Sequence, residues 1–121
     1  MKSELSLYTI NFNSSVYDAA FKITNNSTRT LIILNDNYKV IGVISEGDLL
    51  QSMLNHDAPT ISVTDVMNRS FQSCLESSRP KKAQITSWLR QGALLIPVCD
   101  SSGIIVDVID VLSEANQYLE S

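Results

Sequence analysis

The sequence predicts an α+β domain of the α/β type, built as two pseudo-twofold-related repeats, each a small sheet flanked by helices. Three observations lead there. Hydrophobic residues make up 44% of the 121 residues and charged residues 18%, enough apolar material for one core without disulfide or metal staples. The order helix, strand, strand, helix is legible twice. A slide of 65 residues places Leu31–Leu34 on Ile96–Cys99, Asn35 on Asp100, and Val40-Ile41 on Ile105-Val106, with a one-residue adjustment upstream.

Val16, Ala19, Ala20 and Ile23 recur at helical spacing. Thr30 to Leu34 then reads as a buried strand, Asn35-Asp36-Asn37 as a polar turn, and Val40 to Ile44 as the antiparallel return strand. Beyond Ser45 the apolar residues Leu49, Leu50, Met53 and Leu54 return to helical spacing, and the Pro59 region ends that helix. In the second half Pro80 opens a helix carrying Ala83, Ile85, Trp88 and Leu89. Strands follow at 94–98 and 104–109, and Leu112, Ala115 and Leu119 mark the last helix. The expected boundaries are 1–58 for the first repeat, 59–71 for a linker and 72–121 for the second repeat. The two pack as one domain, because repeats of this kind do not bury their apolar faces alone.

The formal charge of −4 argues against nucleic-acid binding, which needs a cationic surface to displace counterions from phosphates. The N-terminal stretch lacks a signal-type apolar core, and no run approaches the roughly 20 apolar residues of a membrane span. A soluble, cytoplasmic chain without a membrane partner is expected. Cys74 and Cys99 have no paired spacing for zinc or redox chemistry, and no metal site is expected. Both read as reduced thiols, Cys99 as a small core residue.

Ser45 and Asp48 pose the functional question. A Ser followed three residues later by an acid, ahead of an apolar run, is a capping box that satisfies orphan backbone N–H groups. A hydroxyl and a carboxylate leaving a strand end together also suit the hydroxyls of a sugar.

Several stretches together resemble a tandem pair of CBS domains, over nearly all of the chain. They are Val16-Tyr17-Asp18-Ala19, Leu31–Leu34, "KVIGVISEGDLL" at 39–50, "VTDVMNRSF" at 63–71 and "ALLIPVCDSSGIIV" at 93–106. The resemblance implies that Gly42, Ser45 and Asp48 form the family's Gly-x-x-Thr/Ser-x-x-Asp signature, whose hydroxyl and carboxylate hold the ribose of an adenosine-type ligand. Val43, Ile44, Tyr8, Thr9 and Ile10 complete the ligand-binding set it implies, and the helix start there favours a nearby phosphate. Regulatory ligands expected on this basis are AMP, ADP, ATP or S-adenosylmethionine, with no catalytic cofactor. Relatives that bind nucleotides often carry a basic residue just before the ribose acid; here Gly47 stands there, after Glu46. Other phosphate contacts are Arg29, Lys39, Arg79 and Lys82. The cluster Arg79-Pro80-Lys81-Lys82 opposes the helix dipole, which suits a bound anion, or it is a solvated basic turn. In the second repeat the offset turns Gly42, Ser45 and Asp48 into Asp107, Asp110 and Ser113, a degenerate site in which Asp110 also serves as an N-cap.

"SEGD" before an apolar helix and "NHDAPTISVTDVMNRS" after it look like the amino-terminal CBS pair of bacterial sugar-phosphate nucleotidyltransferases. The chain is therefore expected to be a regulatory, non-catalytic segment acting on an attached or partner enzyme of that kind, and to form a homodimer. The alternative is a ligand-free dimerisation platform. His56, at a polar helix end, lacks a nucleophile to pair with, and Trp88 reads as core or dimer interface before base-stacking platform.

Overall fold

The computed structural model describes residues 3–55 and 61–120. A 3₁₀ turn over Ser3–Leu7 leads into strand β1 (Thr9–Asn11), helix α1 (Val16–Ile23), strands β2 (Thr30–Leu34) and β3 (Val40–Ser45), and helix α2 (Glu46–Asn55). The second repeat runs through β4 (Cys74–Leu75), α3 (Lys82–Gln91), β5 (Leu95–Cys99), β6 (Ile105–Asp110) and α4 (Val111–Glu120). Each repeat holds a three-stranded sheet with its middle strand parallel to one neighbour and antiparallel to the other, in the orders β1-β2-β3 and β4-β5-β6. This is the α+β architecture expected.

The repeat holds residue by residue. Thr30 faces Ser45 and Leu95 faces Asp110, and both pairings slip at one place, between Ile33 and Leu34 and between Val98 and Cys99. The turns match too. Asn35 Oδ1 accepts the N–H groups of Asn37 (2.9 Å) and Lys39 (3.0 Å), as Asp100 Oδ1 accepts those of Ser102 (2.8 Å) and Ile104 (3.1 Å). The left-handed turn position is Tyr38 (φ 62°) in one copy and Gly103 (φ 84°) in the other. Where the copies meet, Lys39 pairs antiparallel with its own counterpart, Ile104.

Alternation along β2 explains why neither repeat stands alone. Leu31 and Ile33 turn to α1 and α2, where they pack with Val16, Ala19, Ile23 and Leu49. Ile32 and Leu34 turn the other way and pack with Leu5, Leu95 and Ile105 between the sheets. A third cluster gathers Ile85, Trp88, Ile96 and Val111 under α3 and α4. Residues 61–67 also belong to the first core: Val63 is fully buried beside Met67, and Asn68 pairs with Val43 alongside β3.

The apolar faces of two helices differ from expectation. In α2 only Leu49 of the four spaced residues is buried; Leu50, Met53 and Leu54 are exposed, and Ser52 takes the inward place. In α3 Ile85 and Trp88 are buried and Ala83 is exposed. In α4 it is Val111 that seals the core, with Leu112 outside. His56 and Pro59 lie outside the described residues, as does the side chain of Leu119.

Candidate functional site

Ser45 is the last residue of β3 and caps α2, so its position is set by the sheet on one side and the helix on the other. Asp48 Oδ2 accepts both the Ser45 N–H (3.0 Å) and the Ser45 hydroxyl (2.9 Å), and Ser45 Oγ accepts the Asp48 N–H (3.2 Å). This is a complete capping box. The same box occurs at Ser15 and Asp18 on α1. The two differ in what they face. Ser45 and Asp48 are half-buried and line a cleft of about 330 Å³, near the lower end of the volumes that small-ligand sites occupy. Asp18 is exposed to solvent. The second oxygen of Asp48 has no protein hydrogen bond among the described residues, so the side chain that caps α2 keeps an unused acceptor. Asp48 also borders a smaller hollow of about 240 Å³ with Gln51, Ser52 and Asp65.

The cleft is shared between the repeats. Thr30, Val43, Ser45 and Asp48 form the first-repeat wall, Asn68, Ser70, Phe71 and Gln72 the floor, and residues 91–96 the opposite wall. Gly92 ends α3 there in the left-handed conformation (φ 73°), its N–H donating to Leu89 O and that of Ala93 to Trp88 O.

Of the residues implied by the resemblance, Val43, Ser45 and Asp48 come together at the cleft. Gly42 and Ile44 face the other way, as alternate residues of one strand must. Ile44 is fully buried in the first core. Gly42 lies against the linker: a Cβ there would come within 2.5 Å of Met67 Sδ and 3.2 Å of Asn68 O. Its lack of a side chain answers to that packing. Tyr8, Thr9 and Ile10 do not line the cleft, because β1 flanks β2 on the edge opposite β3. Thr9 donates its hydroxyl to Leu5 O (2.9 Å), and Tyr8 packs against the cluster of Leu5, Ile32, Leu34, Leu95 and Ile105 between the sheets. Sequence reasoning missed Gln72, which the upstream offset of 64 makes the counterpart of Tyr8. The twofold relation was the available signal, since it hands each repeat's leading segment to the other repeat's corner.

Among the described residues no Lys or Arg lines the cleft. Arg29 pairs with Glu46 (3.3 Å) on the surface. Lys39 stands at the far end of β3, on the local twofold axis. Arg79 borders two other hollows, of about 320 and 440 Å³, between β4, α3 and β6, and Lys82 lies on the outer face of α3. These hollows lack the hydroxyl–carboxylate corner. At the degenerate corner Asp107 bonds the N–H of the next residue, Val108 (2.8 Å), and Asp110 accepts the Ser113 N–H (3.2 Å) as the α4 cap. Trp88 is 2% exposed and belongs to the core. Burial raises the Cys74 thiol pKa; burial, then Asp100 and Cys74, raise that of Cys99. No group of three metal-ligating side chains exists among the described residues, and no helix there is long and apolar enough to cross a membrane.

Comparison with known proteins gives a consistent picture. A CBS domain family model matches residues 3–55, the first repeat through the end of α2. The chain is 20% identical over 114 residues to an uncharacterized 17.7 kDa protein from Acidianus ambivalens, covering 94% of this chain and 68% of that one. Among solved structures it is similar to Staphylococcus aureus OpuCA, with a TM-score of 0.77, 18% identity and coverage of 93% and 92% of the two chains. It is equally similar to the CBS domain pair of protein MJ0100, solved with 5′-methylthioadenosine and S-adenosyl-L-methionine, with a TM-score of 0.76, 18% identity and coverage of 93% and 88%.

Proposed function

We propose that this chain, a tandem CBS pair in its fold, is a regulatory module that holds an adenosine-type ligand in the cleft between the Ser45–Asp48 corner and residues 91–96. The observation that carries the reading is the half-buried Asp48 carboxylate, held by Ser45 with one oxygen unbonded among the described residues, in the lining of a cleft of ligand size. A ribose diol suits that oxygen, and Phe71 and Val43 offer apolar contact for a base. The adenosine derivatives in the MJ0100 pair support the ligand class. Both repeats wall the cleft, so a ligand with differential affinity for two repeat arrangements would act on an attached or partner enzyme. The "SEGD" and "VMNRS" stretches make a sugar-phosphate nucleotidyltransferase of the cytoplasm our choice for that enzyme.

The test is thermal unfolding of the chain with adenosine-type ligands. A ligand that binds only the native state raises the midpoint. Asp48→Ala is expected to abolish the shift and, by loss of half the capping box, to cost about 1 kcal/mol. A shift that survives in Asp48→Ala removes this corner from the binding site.

The second reading is a ligand-free dimerisation platform. It is favoured by the apolar side chains that α1 and α2 expose: Tyr17 and Phe21, stacked edge-to-face at 5.0 Å, with Leu50 and Leu54. A homodimer is compatible with either reading. Only the platform requires that no ligand shift the midpoint.

A further inference from the structure

Resting on that reading of the cleft, we infer that its ligand is a nucleoside without phosphate, neutral or cationic at its 5′ end. Among the described residues Asp48 is the single charged side chain in the lining, and it is an acid. Of the first three N–H groups of α2, two are taken. Its Glu46 N–H is bonded to Arg29 O (3.0 Å) and its Asp48 N–H to Ser45 Oγ (3.2 Å), while both residues place carboxylates in the first turn. The opposite wall adds to this. It is the C-terminal end of α3, at Gln91 and Gly92, where the helix dipole is negative and favours a cation.

Two arginines adjoin lining residues in sequence and neither lines the cleft: Arg69 donates to Thr64 O (3.2 Å), and Arg90, in the last turn of α3, borders a hollow on that helix with Lys82. Arg29 is engaged by Glu46. Lys39 precedes β3, six residues from Ser45, about 20 Å along an extended strand. Lys82 begins α3, the end away from the cleft, about 14 Å along the helix. A phosphate ester brings nearly two negative charges at neutral pH to a site of the same sign.

Calorimetric titration of the 121-residue chain with adenosine, 5′-methylthioadenosine and S-adenosylmethionine, against AMP, ADP and ATP, tests this. The unphosphorylated set is expected to bind at least tenfold more tightly, with the sulfonium ligand weakening as salt is raised. If AMP, ADP or ATP binds as tightly as adenosine or better, the charge selection is overturned while the ligand-sensing reading stands. If none of the six binds, the reading of the cleft falls and this inference falls with it.

Discussion

Gly42 and Asp107 occupy equivalent places in the two repeats and do different work. A Cβ at Gly42 would meet Met67 Sδ at 2.5 Å, and the backbone of Asn68 behind it restricts relief. Gly42→Ala is therefore expected to destabilise by about 1–3 kcal/mol, the usual cost of overpacking. Asp107 is exposed and among the described residues bonds only its neighbour's N–H, so Asp107→Ala is expected to change stability by less than about 0.5 kcal/mol. Urea unfolding of the two variants checks the contrast; equal losses would refute it. The glycine of the sequence signature thus owes its identity to the chain that leaves the repeat. That reason was illegible in the sequence, because it depends on where Met67 returns.

Elements were legible where periodicity had length to act. Strand β2 was placed at Thr30–Leu34, because a run of five apolar or β-branched residues between polar turns admits few alternatives. Strands β1 and β4, with three and two residues, carry no period and were not foreseen. Pro97 explains their difference in length. Its counterpart Ile32 donates its N–H to Tyr8 O (2.8 Å), a bond Pro97 cannot make, and β4 is correspondingly shorter. The Ser45–Asp48 corner was legible as a cap and as a candidate clamp. Its opposite wall was not, because residues 91–96 reach it only through packing of the repeats. Ile32 sits at the centre of that packing, fully buried beside Leu95 and Ile105. Ile32→Ala is expected to cost about 2–5 kcal/mol and to lower the unfolding of both repeats together in one transition. Separate transitions for the two repeats would show that the shared core is not what couples them.

At the scale of the molecule, exposed apolar residues on α1 and α2 set the expectation for assembly. Sedimentation is expected to find a dimer, and the double variant Phe21→Glu, Leu54→Glu a monomer with the same unfolding cooperativity. A wild-type monomer at tens of micromolar would exclude both this face and the platform reading.

Duplication left one corner with its acid and one without, and this fixes what a binding curve can look like. A ligand held at Asp48 saturates at one equivalent per chain, since Ser113 offers no carboxylate at the matching place. The Hill coefficient of the monomeric variant is then one. Any sigmoidal response of the intact assembly has to originate between chains, so cooperativity in this protein would measure its quaternary contacts.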